Sequence, residues 1–190
     1  MQTKGGKLLL YHFSEEADIE LFIPRIKQNR PDMPAVVWAI DEDHAVNYFF
    51  PRDCPRVIYR RSDKMSIEDE ERFFGQTAAD IIIAVENGWL QTIQNTVLFK
   101  YVFSEEDFEL YEPFAGYYIS RRTVAPAAVE RMDSLQNKVA ELGVELRFTP
   151  NLYPLRNAIL NSSVDYFSII RFHNAAPPST NPLHKLGQDQ

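Results

Sequence analysis

The chain has 190 residues, 45% hydrophobic, 25% charged and 13% aromatic, which is the balance of a folded globular protein and excludes a disordered or fibrous one. An excess of 27 acidic over 20 basic residues gives a net charge of -7, which excludes a broad polyanion-binding surface and leaves room for a local basic pocket. The single cysteine, Cys54, excludes an internal disulfide and a cysteine-type zinc site and points to a reducing compartment.

The run Leu8 to Phe13 (LLLYHF) is short, continuous and apolar, the pattern of a buried strand, and the acidic stretch Ser14 to Asp18 ends it. Its opening leucines are too few for a signal-peptide core or a membrane span, so a cytoplasmic protein is expected. Three prolines between Pro24 and Pro34 make a loop. Ala35 to Ile40 (AVVWAI) reads as a second buried strand, and Asp41 as the N-cap of a short helix reaching about Phe50, with Glu42 and Asp43 at its positive end. Pro51 and Pro55 bracket a turn before a strand from Arg56 to Arg60.

Ser66 and Asp69 have capping-box spacing, and a helical segment is expected from there to about Thr96, with Gly75 and Gly88 counting against its continuity. Val97 to Phe103 (VLFKYVF) reads as a strand with Gly116 to Ser120 (GYYIS) as its antiparallel partner. After Pro126, apolar residues at Val129, Met132, Leu135, Val139 and Leu142 recur at helical spacing until Gly143, which predicts one long helix. Val144 to Phe148 alternates as a strand, Pro154 to Leu160 is helical, and Tyr166 to Phe172 is a closing strand. The sum is an α+β fold of mixed, largely antiparallel sheets with peripheral helices. A single globular domain is expected over residues 1–174, with a flexible tail at 175–190 rich in proline and polar residues.

Six residues are candidates for ligand binding. His12 stands at the end of the first strand, where side chains meet a loop. His44 and Tyr48 are four apart and share a helix face, and Trp38 precedes them on the second strand. Arg52 and Arg56 flank Asp53 in the proline-bracketed turn, where two guanidinium groups could hold a phosphate. For each there is a plainer role: a hydrogen-bonded rim histidine, acidic helix caps, a packed tyrosine, a surface ion pair. Asp41, Asp43 and His44 diverge on a helix start, so no metal site is expected. Cys54, beside Asp53, is read as a packed residue and not a nucleophile. No glycine-rich phosphate loop, G-x-S-x-G or H-E-x-x-H motif occurs.

Segments along almost the whole chain, among them LLLYHFSEE (Leu8 to Glu16), VVWAIDEDHAVNYFFPRDCPR (Val36 to Arg56), AGYYISRRTVAP (Ala115 to Pro126) and FSIIRFHNA (Phe167 to Ala175), resemble a family of uncharacterised bacterial proteins found notably in bacilli, which implies no activity. The chain also resembles, more distantly, the ADP-ribosyltransferase-like fold of the diphtheria-toxin and poly(ADP-ribose) polymerase type. His12 looks like that fold's first-strand histidine, Trp38 stands where a tyrosine is usual, and Ala45 to Tyr48 resembles the following helix. The resemblance implies NAD, ADP-ribose or another phosphorylated small molecule as ligand, with His12 on the nicotinamide ribose and Trp38 on the ring. Gly116 stands where the fold's glutamate is expected, which leaves transferase activity without its carboxylate. The alternative is a non-enzymatic binding or accessory protein on the same scaffold. The sequence leaves the oligomeric state open.

Overall fold

The structure is a computed structural model that describes residues 8–27 and 31–178. Its elements, in chain order, are β1 (Leu9–Ser14), β2 (Val37–Ile40), α1 (Glu42–Ala45), β3 (Arg56–Arg60), α2 (Ile67–Phe74), β4 (Ile81–Glu86), α3 (Leu90–Asn95), β5 (Leu98–Ser104), β6 (Glu109–Glu112), β7 (Tyr117–Ser120), β8 (Ala128–Met132), α4 (Leu135–Glu141), β9 (Glu145–Thr149), α5 (Tyr153–Leu160) and β10 (Phe167–Ile170). They form two compact units, each discontinuous in sequence: Met1–Arg52 with Thr92–Leu142, and Asp53–Gln91 with Gly143–Gln190.

The first unit carries a six-stranded antiparallel sheet in the order β6-β7-β2-β1-β5-β8. On one face Leu10, Val37, Ala39, Tyr101 and Phe103 pack with Phe22 and Val124 into an apolar cluster, the alternate residues of β1, β2 and β5 as a two-residue period requires. Phe22 enters from the loop after β1, held by paired main-chain bonds with Val124 of 2.8 and 3.0 Å, and meets Tyr101 and Phe103 edge-on at 5.0 and 5.1 Å. Asp41 caps α1 as expected, its carboxylate accepting from the His44 amide at 2.9 Å. The helix stops at Ala45 and gives way to a 3-10 turn, Val46–Tyr48, shorter than the expected span to Phe50.

The second unit has a four-stranded sheet, β10-β3-β4-β9, in which β4 and β9 run parallel and the other pairs antiparallel. Val57, Tyr59, Ile82 and Ala84 of the sheet pack with Phe73, Phe74, Leu152, Ile159 and Val164. α2 begins at the expected cap, Ser66 accepting from the Asp69 amide at 3.2 Å. The Asp69 carboxylate accepts from the amide and hydroxyl of Ser163, both at 2.7 Å, and these bonds lower its pKa. Glu86, buried, accepts from the main-chain amides of Leu152 and Ala176 at 3.2 and 2.9 Å, so its charge meets oriented donors instead of hydrocarbon.

The helices, strands and prevailing antiparallel pairing are those of the expected α+β class. Three local expectations are corrected, and one strand, β6, is added to them. The expected helix through Thr96 contains β4, because Ile81 to Val85 is a β-branched run buried at the centre of a sheet, and continuous burial removes the alternation that marks a strand. The long helix after Pro126 is instead edge strand β8 followed by α4; Ser134, in a left-handed conformation at φ 52°, separates them, and apolar residues of two elements happened to fall at helical spacing. β7 pairs with β2 and β6, while β5 pairs with β1 and β8, so the expected β5–β7 pairing is absent. β6, exposed along its length and bulged at Leu110/Glu112, has no apolar pattern to announce it. Most of the expected tail, residues 179–190, lies outside the described residues.

Candidate functional site

β1 shares six residue pairs with β5 but one with β2, Tyr11 opposite Ile40. No other pair is registered between the two strands, and the His12 side chain bridges them: its Nδ1 lies 3.0 Å from the Trp38 carbonyl oxygen. A carbonyl only accepts, so Nδ1 donates, and in the neutral ring Nε2 is left as an acceptor. Burial lowers the His12 pKa, helped by the charges of Arg52 and Lys27 and opposed by the bond to Trp38. The ring is therefore neutral at pH 7. Its edge rests on Phe22, centroids 4.9 Å apart, on the sheet face that carries Leu10 and Tyr101.

Trp38 lies between Val37 and Ala39, so alternation turns its indole to the other face. There Tyr111 and Tyr117 meet it almost perpendicularly, at 5.4 and 5.6 Å. The Lys27 ammonium stands 3.7 Å above the indole centroid and 5.9 Å from the Tyr117 ring. Trp38 Nε1 is buried with no hydrogen-bond partner among the described residues. Tyr48 joins the group through its hydroxyl, 2.5 Å from that of Tyr117. Thus His12 and Trp38 touch through the main chain, and Trp38 and Tyr48 are linked by a residue the sequence did not single out. The register of β7 on β2, which sets Tyr117 opposite Ile40 and Ile119 opposite Trp38, was the missing information.

His44 is buried, its Nδ1 2.6 Å from the Asp41 carboxylate. That pair lies against Gly116, which takes φ +68° just before β7. A Cβ at position 116 would collide with His44 Nδ1 and the Asp41 carboxylate, so the position at which the resemblance led to the expectation of a glutamate admits no side chain, and the carboxylate found beside it is that of Asp41. His44 and Tyr48 do share the short helical stretch, yet His44 pairs with Asp41 and Tyr48 with Tyr117.

Arg52 is exposed at the end of the first unit's leading stretch, its amide donating to the Glu15 carboxylate at 2.9 Å. Arg56 belongs to the second unit and is buried, its Nη1 donating to the Cys54 carbonyl at 2.7 Å. The two arginines thus have different settings, and Arg52 is the one whose charge is felt at His12. Cys54 is fully buried, and burial pushes its thiol up to about 12, against the opposing pull of Arg56; it is a packed residue, as read. Among the described residues no group of three or more histidine, cysteine or acidic side chains could hold a metal, and no helix is long and apolar enough to cross a membrane.

Residues 11–175 match a family described as a family of unknown function (DUF6886). The match covers most of the chain, which belongs to that family. No curated protein matches the chain, and no solved structure does.

Proposed function

From a family whose description assigns no activity, we propose that the β1–β2 junction at His12 binds a phosphorylated small molecule carrying a free hydroxyl, of the class of ADP-ribose or NAD, in an ADP-ribosyltransferase-like cleft. The observation that carries this is the single-pair β1–β2 register with His12 anchored across it. The fixed tautomer leaves Nε2 to accept from a ribose-type hydroxyl, and a neutral ring does so without repelling the two nearby cations. The Arg52 guanidinium, planar and exposed, suits a phosphate. Trp38 serves through its carbonyl, which fixes the imidazole. Binding is favoured over group transfer, because position 116 has no room for a carboxylate side chain and Asp41 is already engaged by His44. Such ligands are met in the cytoplasm, where a lone thiol also stays reduced, and residues 1–174 would act as one functional domain.

Isothermal titration with ADP-ribose, NAD and adenosine monophosphate tests this. Saturable heat is expected from at least one of them, weakened at least tenfold in His12→Ala and in Arg52→Ala, a loss of about 1.4 kcal/mol or more. Absence of heat from all three with folded protein would overturn it. A second reading, a non-enzymatic accessory protein that keeps this scaffold without a ligand, draws on the Tyr48–Tyr117 and Asp41–His44 contacts, which satisfy polar groups within the unit. In that case His12→Ala and Trp38→Ala lower the melting temperature and no nucleotide raises it.

A further inference from the structure

We infer that the aromatic group on the Trp38 face is a binding site for a small alkylammonium cation, a site that Lys27 of the same chain occupies with its own ammonium. Three aromatic rings carry the inference. The indole of Trp38 forms a base, and Tyr111 and Tyr117 stand against it at interplanar angles of 86° and 83°. Aromatic rings clustered on one another are the setting in which quaternary and methylated ammonium groups are recognised. The contact is filled in a way that reports on its chemistry: an ammonium nitrogen sits 3.7 Å from the indole centroid, inside the roughly 6 Å limit of an energetically significant cation–π pair, and still reaches the Tyr117 ring at 5.9 Å.

Two further observations point to exchange instead of a permanent contact. Lys27 is an exposed residue of the loop between β1 and β2, and a lysine held on an open surface gives up side-chain freedom that it regains on release. Trp38 Nε1 is a buried donor left without a partner among the described residues, and native proteins seldom leave such a group unsatisfied. An alkylammonium such as choline or betaine supplies the cation for the ring face. Methylated nitrogen sheds its water more readily than the primary ammonium of lysine, so it competes for the same face. The inference does not rest on the nucleotide reading: its rings lie on the sheet face away from the His12 imidazole, although the Lys27 charge is felt there.

The chain has two tryptophans, so the test uses Trp89→Phe protein, in which emission comes from Trp38 alone. Tetramethylammonium and choline are titrated by indole fluorescence into this protein and into the same protein with Lys27→Ala, without nucleotide. Saturable change is expected in both, at roughly tenfold lower concentration when the built-in competitor is gone, with little response to 3,3-dimethylbutanol, the uncharged carbon analogue of choline. Lys27→Gln, which removes the charge and keeps most of the stem, is expected to shift the curve in the same direction and serves if the alanine variant melts early. The proposal is overturned if neither Lys27 variant responds to the cations at near-molar concentration, or if the neutral analogue acts as strongly as choline.

Discussion

His12 of β1 holds its neighbouring strand by a side chain where a main-chain bond would be expected: Nδ1 donates 3.0 Å to the carbonyl of Trp38 just past the one pair that β1 and β2 share. The imidazole therefore replaces part of a sheet ladder and keeps one nitrogen in hand. Because burial, with Arg52 and Lys27, lowers its pKa below the ordinary value of 6.5, the unfolded chain takes up the proton first as pH falls. Stability is then lost from about pH 6.5 downward through the folded-state pKa, by at most about 1.4 kcal/mol per pH unit, and is retained above it. Gln at position 12 can donate to the same carbonyl and does not titrate. Melting temperatures from pH 8 to 5 are expected to fall more steeply for the parent than for His12→Gln; parallel curves would remove His12 as the source.

The hydroxyls of Tyr48 and Tyr117, 2.5 Å apart, tie the turn after α1 to β7. Removing either oxygen is expected to cost about 1 kcal/mol, and the double variant Tyr48→Phe/Tyr117→Phe about as much as one single change. Urea unfolding of the four proteins measures the coupling. Strict additivity would show that the contact contributes nothing of its own.

Gly116→Ala is expected to be among the most damaging single changes in the first unit. It adds a Cβ in a left-handed conformation, at a cost of about 1–2 kcal/mol, and drives it into the rigidly held Asp41–His44 pair, which adds about 1–3 kcal/mol of overpacking. Gly143 offers a control: it has φ +71° and nothing within 4 Å of a Cβ, so Gly143→Ala is expected to show the conformational cost alone. Comparison of the two denaturation midpoints separates strain from collision.

Cys54 is expected to resist thiol reagents in the native protein. A thiol buried completely and shifted to about 12 supplies almost no thiolate at pH 8. Ellman's reagent should read one thiol per chain in denaturant and a small fraction of that rate without it. Rapid native labelling would place Cys54 at the surface.

Much of the fold was legible where one physical signal dominated. Asp41 and Ser66 cap helices because their side chains can answer orphan amides, and that rule needs no tertiary context. Arg56 to Arg60, set off by the proline-bracketed turn before it, matched its strand to the residue. Reading failed where tertiary burial erased the period, as in β4, and where two elements shared one apparent period, as in β8 and α4. The site shows the same division. His12 was singled out from its place at a strand end and Trp38 from its place on the second strand; the contact between them is made by the Trp38 carbonyl, with the two rings on opposite faces of the sheet. Lys27, Tyr111 and Tyr117 went unnoticed because their roles depend on strand register and on a loop returning over β2, neither of which is written in local spacing. Gly116 was noticed for what it lacks; the reason for the glycine is the imidazole and carboxylate pressed against it.

Each unit is assembled from two separated stretches of chain, and this bears on how the protein is made. β1 and β2 leave the ribosome early, yet the longest ladder of β1 is with β5, and β2 leans on β7. At about 5–20 residues per second, their apolar edges wait several seconds for partners, while the first half of the other unit is being threaded out between them. The first unit thus has all its strands only once β8 has emerged, and no contiguous fragment of the gene encodes either unit by itself. Because the stretches of the two units alternate along the chain, circular permutation leaves both discontinuous; only excision of residues 53–91, joining Thr92–Leu142 to Arg52, gives the first unit an uninterrupted chain.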